Sequence, residues 1–250
     1  MATLADMIGA ARSGPVQRST ASFGGHCTYA FTQCKPPIST FLAQDESTAI
    51  GVCEALAAHW IKYHAEGGSM WNWLIVDGQV SMTKLLFEVM QLQSKGILGD
   101  QQAVTQAWLR KSGLAPVQGS MVLNRSRQMG ARFIPFEGGR GRHVTEGRTG
   151  LLSCCDLARS LVRDNTGGAG CYKKLYLSGK FGAHAMALWV AQDIVFFDPN
   201  FGEFWFPNRS AFFNWFTQKF WSSSLYSVGL SGEFEISPYA KQHWRGQRRG

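Results

Sequence analysis

Three short segments of the 250-residue chain carry side chains suited to nucleophilic chemistry. Gly51-Val52-Cys53-Glu54-Ala55-Leu56-Ala57-Ala58-His59-Trp60-Ile61 places a cysteine at the start of a helical pattern. Gly182-Ala183-His184-Ala185-Met186-Ala187 and Phe197-Asp198-Pro199-Asn200-Phe201-Gly202 follow far downstream. Cys, His and Asp in that order, each at an element end, are the parts of a nucleophile, a base and an orienting acid. Thiolate is the reactive form of cysteine, and the unpaired N–H groups and dipole of a helix N-terminus favour it. On position alone Cys53 reads more readily as a small buried hydrophobe; the downstream pair reverses that balance.

The base has to come from outside the first helix. His59 lies roughly 120° around the helix from Cys53, and His64 returns to nearly the same face about 16 Å further along the axis. His26, His143 and His243 fall in the leader, a Gly/Arg loop and a basic tail. His184 begins an apolar strand and is the best candidate. A base needs its second ring nitrogen held by an acceptor. Asp198 ends the next strand, directly after the apolar run Ile194–Phe197, where an unpaired carboxylate is costly; Asn200 has the same parity and is the alternative orienter. Side chains alternate along a strand. A two-residue turn at Gln192-Asp193 would set His184 opposite Phe201 and turn Asp198 to the other side. An odd loop or one bulge between Val190 and Val195 is therefore expected. For the oxyanion, the Cys53 backbone N–H is one donor, and Gln44, Ser47 and Thr48 are upstream side chains able to supply another.

The elements that must position these groups suggest an α+β domain. Residues 1–44, rich in Ala, Ser, Thr and Gly, read as a mobile leader. Ala49–Ala65 is the first helix, capped by Ser47 or Thr48 and ended by Gly67-Gly68. Ser81–Lys95 has a broad apolar stripe, and Gln101–Lys111 is a shorter helix. Gly119–Asn124 and Ala131–Phe136 are strand candidates; Leu151–Asp164 reads as a helix. Cys171–Ser178, Ala183–Ala191, Ile194–Asp198 and Glu203–Phe206 form a β-meander pattern. Asn208 caps an aromatic helix through Phe220, and Ser224–Leu230 and Gly232–Ile236 are the last strand candidates. The domain spans residues 45–238, and residues 239–250 are a basic tail.

Seventeen Phe and nine Trp are ample for a core, and a formal charge of +8 suits an acidic protein partner or an anionic membrane surface. Much of the charge is local: Arg125, Arg127, Arg132, Arg140, Arg142 and Arg148 crowd one Gly-rich region, and Lys241, Arg245, Arg248 and Arg249 end the chain. These residues are not interleaved with an aromatic platform, which argues against nucleic acid. Cysteines stand at 27, 34, 53, 154, 155 and 171 with no C-x-x-C spacing, so neither a zinc ribbon nor a thioredoxin motif is supported. No apolar run of about 18 residues suggests a membrane span, and no ordinary secretory signal is visible.

The Gly51–Trp60, Gly182–Ala185 and Phe197–Phe204 blocks together resemble the YopT/AvrPphB-type cysteine proteases, papain-like enzymes that bacteria inject into host cells by type III secretion. The resemblance covers roughly Gln44 to Ile236. It implies a papain-like fold, with Cys53 as nucleophile, His184 as base and Asp198 as orienter, and with no cofactor or metal. It also implies a monomer acting in the host cytoplasm or at the inner face of the plasma membrane. Its substrates would be host signalling proteins: prenylated Rho-type GTPases cut near their lipidated end, or kinases cut in a loop. A basic substrate segment would need a locally acidic cleft, for which Glu46, Glu54 and Glu203 are available. Members from plant-associated bacteria often cleave their own N-terminus to expose a lipidation site; here Cys27 and Cys34 lie in the leader, without a clear cleavage motif. The same three residues also suit acyl transfer, as in a transglutaminase or deamidase. A binding module that keeps the motif only as packing is the non-enzymatic alternative.

Overall fold

Apolar–polar alternation is strongest in the second half of the chain, and there the molecule builds its sheet. A computed structural model describes residues 4–49, 51–97, 100–117, 122–125, 153–166, 168–180 and 182–241. The Gly/Arg loop, the Ala131–Phe136 candidate, His143, His243 and the tail beyond Lys241 lie outside the described residues.

The strands are β1 (His26–Tyr29), β2 (Ile75–Val76), β3 (Gln79–Val80), β4 (Leu114–Pro116), β5 (Val122–Arg125), β6 (Cys171–Gly179), β7 (Gly182–Val190), β8 (Ile194–Asp198), β9 (Gly202–Phe206) and β10 (Glu233–Lys241). β2 and β3 form a small ribbon. The others make one antiparallel sheet in the order β1-β9-β8-β7-β6-β10-β4, with β5 also paired to β10. The helices are α1 (Leu4–Arg18), α2 (Ile38–Leu42), α3 (Cys53–Ala65), α4 (Met70–Leu74), α5 (Met82–Lys84), α6 (Gln91–Ile97), α7 (Gln101–Lys111), α8 (Cys154–Val162), α9 (Arg209–Trp215), α10 (Trp221–Ser223) and α11 (Tyr226–Gly229). π turns at Leu85–Met90 and Phe216–Phe220 join α5 to α6 and α9 to α10.

The period of two divides the core. Met186, Leu188 and Val190 of β7 join Leu161, Phe212, Trp215 and Trp221 from α8, α9 and α10. Ala185 and Ala187 join the opposite cluster, with Leu56, Trp60 and Ile61 of α3 and Leu109 of α7. Small residues on both partners, Ala55, Ala57 and Ala58 against Ala185 and Ala187, let α3 lie close on β7. That contact holds the helix bearing Cys53 against the strand bearing His184. The α+β architecture expected from the sequence is the one observed.

Four sequence expectations are corrected. The first helix begins at Cys53, with Val52 rather than Ser47 or Thr48 at its cap position. Thr48 instead turns its hydroxyl to the Leu42 carbonyl at 3.0 Å. Part of the expected leader is built into the domain: β1 pairs with β9, and Phe31, Gln33 and Cys34 are buried. The four-residue β1 alternates only between exposed and half-buried positions, which leaves no apolar pattern to see. The expected Ser224–Leu230 strand contains the helical turn α11, entered through Leu225 at φ 61°. Finally, β10 runs past residue 238 to Lys241, so the domain takes in the start of the expected tail.

His59 and Glu203 show how the polar groups near α3 are used. His59 is buried, donates its Nδ1–H to the Ala55 carbonyl at 2.8 Å, and stacks on Trp73. Burial, opposed by the Ala55 hydrogen bond and aided by the Lys62 charge, pushes its pKa down to about 4. It is a satisfied core histidine. The folded form favours the neutral ring, so its stabilisation is complete above the unfolded value near 6.5 and is lost as pH falls through about 4. Over that window the loss amounts to about 3 kcal/mol. His64, also pushed down by burial, adds a slope of the same sign. Denaturant unfolding at pH 7 and pH 4 checks this: a His59→Phe variant, keeping the ring stack without the titration, should lose most of the wild-type pH slope.

Candidate active site

Gly51, at φ 110°, sets up the turn into α3 in a conformation that a residue with a Cβ rarely adopts. The Val52 N–H donates to Gln33 Oε1 at 3.0 Å, and the Gln33 amide donates onward to Asn200 Oδ1 at 2.9 Å. The loop before the cysteine is thus tied through one buried glutamine to the segment after β8. Cys53 is the first residue of α3 and is half-buried.

β7 and β8 are joined by Ala191-Gln192-Asp193, with Val190 opposite Ile194 and Ala187 opposite Phe197. The loop is odd, as the parity argument required. It is fixed by the Trp205 indole donating to Asp193 Oδ2 at 2.9 Å and by Arg209 Nε donating to the Ala191 carbonyl at 2.9 Å. His184 and Asp198 consequently share a face, and His184 Nε2 donates to Asp198 Oδ1 at 2.8 Å. The Cys53 thiol acts on the same ring and favours its charged form. With Nε2 engaged by the carboxylate, Nδ1 is the nitrogen left for the sulfur. The structure therefore brings Cys53 to the ring of a hydrogen-bonded His184–Asp198 pair.

Asp198 is fully buried and surrounded by donors. Its Oδ1 also accepts the Asn200 backbone N–H at 2.8 Å, and the Tyr226 hydroxyl reaches Oδ2 at 3.1 Å. Asn200, the alternative orienter, is engaged elsewhere: its Oδ1 accepts from Gln33 and Cys34, and its Nδ2 donates to Tyr226. The Tyr226 ring packs 5.3 Å from His184, with Phe220 on its other contacts. Burial disfavours a charged His184 ring. The adjacent Asp198 charge and hydrogen bond, reinforced by the Cys53 thiol, outweigh it and push the His184 pKa up to about 10. A ring that keeps its proton at neutral pH beside a thiol can stabilise a thiolate and donate a proton to a leaving group.

The same geometry decides the remaining candidates. His64 Nδ1 lies 3.0 Å from the Tyr172 hydroxyl, away from the cysteine. Of the acidic groups expected to line the cleft, Glu54 is buried in an ion pair with Lys174. Glu203 accepts the indole N–H groups of Trp60 and Trp71, at 2.6 and 2.9 Å, and the Thr28 hydroxyl. Both are taken up by partners within the protein. Gln33 and Tyr226 were missed at the sequence level, because neither stands in a recognisable spacing with the residue it supports. Among the described residues no cluster of His, Cys, Asp and Glu suits a metal ion.

Residues 17–242 match the family Peptidase_C58, described as Yersinia/Haemophilus virulence surface antigen. The chain belongs to this family. It is 35% identical over 231 residues to the cysteine protease yopT1 of Yersinia enterocolitica, covering 88% of this chain and 66% of that protein. It is 34% identical over 229 residues to the cysteine protease YopT of Yersinia pestis, with the same coverage. The chain thus spans slightly less than two thirds of the length of these curated relatives. Among solved structures it is similar to the Pseudomonas avirulence protein AvrPphB, at 15% identity and a TM-score of 0.47, covering 78% of this chain and 95% of that one. Every site residue named above falls inside the span matched to Peptidase_C58.

Proposed function

We propose that the chain is a cysteine endopeptidase in which Cys53 is the nucleophile, His184 the general acid and base, and Asp198 the orienter. The observation that carries this is the hydrogen-bonded His184–Asp198 pair whose ring the Cys53 thiol at the start of α3 acts on. The cysteine-protease names of the Yersinia relatives support it. In acylation the Cys53 sulfur attacks the scissile carbonyl carbon, and the carbonyl electrons move onto oxygen. Collapse of that intermediate expels the amine, which takes a proton from His184. Water then attacks the thioester, giving one proton to His184 and releasing the acid and the Cys53 sulfur. Asp198 holds the ring direction and stabilises its positive charge throughout.

The substrate class that the resemblance suggests is a host signalling protein of Rho-type GTPase or kinase class, reached after type III delivery. The test is a search for new protein N-termini in host-cell extract treated with wild type or with Cys53→Ala. Cuts present only with wild type are expected. Identical N-terminal profiles from the two proteins, across animal and plant extracts, would remove the protease reading.

A further inference from the structure

The backbone N–H of Cys53 can supply one hydrogen bond to the developing oxyanion, and a second donor is wanted nearby. The upstream side chains are otherwise engaged. Thr48 is fully buried with its hydroxyl on the Leu42 carbonyl. The Ser47 hydroxyl is held by Asp45 Oδ1 at 2.6 Å and by Ser94. The Gln33 amide is spent on Asn200. Gln44 is exposed beyond α2.

Gln93 differs from all of these. It lies on α6, just after the π turn, and is 4% exposed. Its Oε1 accepts the Ala55 N–H at 3.2 Å. Ala55 is two residues beyond Cys53, so the carboxamide sits at the N-terminal end of α3, where the first-turn N–H groups emerge. Among the described residues its Nε2 has no hydrogen-bond partner. Nor is that nitrogen sealed from solvent, because Glu54 Oε2 is the one side-chain atom among them both sealed and unpartnered. A buried carboxamide is therefore anchored by its oxygen at the helix end that carries the thiol, with its N–H₂ free.

We propose that Gln93 is the side-chain donor of the oxyanion site, acting with the Cys53 backbone N–H. The assignment rests on the cysteine-protease reading and extends it. When the Cys53 sulfur bonds to the carbonyl carbon, the electron pair moved onto oxygen is stabilised by the Gln93 Nε2–H. The pair returns as the leaving group departs. Gln93 would then be a catalytic residue lying downstream of the nucleophile in sequence.

The test compares two reactions at Cys53, each followed by mass spectrometry of the peptide that contains it. Acylation by p-nitrophenyl acetate passes through an oxyanion and expels p-nitrophenolate. Alkylation by iodoacetamide displaces iodide and forms no oxyanion. Gln93→Met removes donor and acceptor, whereas Gln93→Glu keeps an acceptor for the Ala55 N–H and removes the donor. The ratio of acylation to alkylation should fall in both variants by about 10²–10³-fold. If Gln93 were only a cap for α3, Gln93→Glu would keep that ratio within about threefold of wild type, and Gln93→Met would slow both reactions together. Either result overturns the assignment while leaving the protease reading intact. Wild-type protein whose Cys53 is acylated no faster than in His184→Ala would overturn both.

Discussion

Replacing His184 by alanine should lower peptide-bond hydrolysis by about 10⁴-fold or more, the scale on which removing an essential base acts. This is the ring that the Cys53 thiol acts on, whereas His59 and His64 are committed to Ala55 and Tyr172. The variant should also slow alkylation of Cys53 by iodoacetamide at pH 6. An ordinary thiol is sparsely ionised there, whereas a ring with its pKa pushed up to about 10 still holds its proton and can pair with a thiolate. Asp198→Ala should cost less, about 10²–10⁴-fold, because the ring remains and loses only its orientation and counter-charge. Hydrolysis of whichever substrate the N-terminal search identifies, together with alkylation from pH 5 to 9, checks the set. His184→Ala with hydrolysis within tenfold of wild type would remove this residue from the chemistry.

The sequence made the order of Cys53, His184 and Asp198 legible, because each stands where a periodic pattern begins or ends. It also carried the parity of the β7–β8 hairpin, since alternation along two strands constrains the loop between them. What it could not carry is the support around them. Gln33 contacts Asn200 across 167 positions, and Lys174 meets Glu54 across 120. No local pattern encodes such pairs. Tyr226 sits in a stretch whose residues favour a strand, and a positive φ at Leu225 redirects it without a glycine to mark the place. The polar edge strand β1 lacks the apolar rhythm by which strands are found, yet Gly202, with φ 110° and no room for a Cβ beside the Tyr29 carbonyl, lets it dock on β9. In the sequence Gln93 is one polar position in an apolar helix. Its placement depends on how α6 meets α3, which is a tertiary fact.

The largest expected effect on stability is at Lys174. This residue lies on β6, in the interior of the sheet between β7 and β10, with its side chain 1% exposed. Its ammonium contacts Glu54 Oε1, and the Glu54 side chain is 4% exposed with Oε2 already lacking a partner. Burial opposes the lysine charge, but the Glu54 carboxylate outweighs it, and the Lys174 pKa is raised. Lys174→Met removes one half of this pair and leaves a carboxylate in the interior. Breaking a buried pair in this way costs about 3–5 kcal/mol, a large share of a typical domain's 5–15 kcal/mol. Lys174→Met with Glu54→Leu replaces both charges by apolar groups and should recover most of that loss. The double variant also separates folding from chemistry. Glu54 follows Cys53 in the first turn of α3, so an unpaired charge there opposes a thiolate at Cys53, whereas a leucine does not. The single variant should therefore combine a lowered unfolding free energy with slowed alkylation of Cys53, and the double variant should restore both. Urea unfolding and iodoacetamide kinetics on the two proteins check this. A single variant as stable as wild type would mean that Glu54 takes up a proton at little cost and that the pair contributes no net stability.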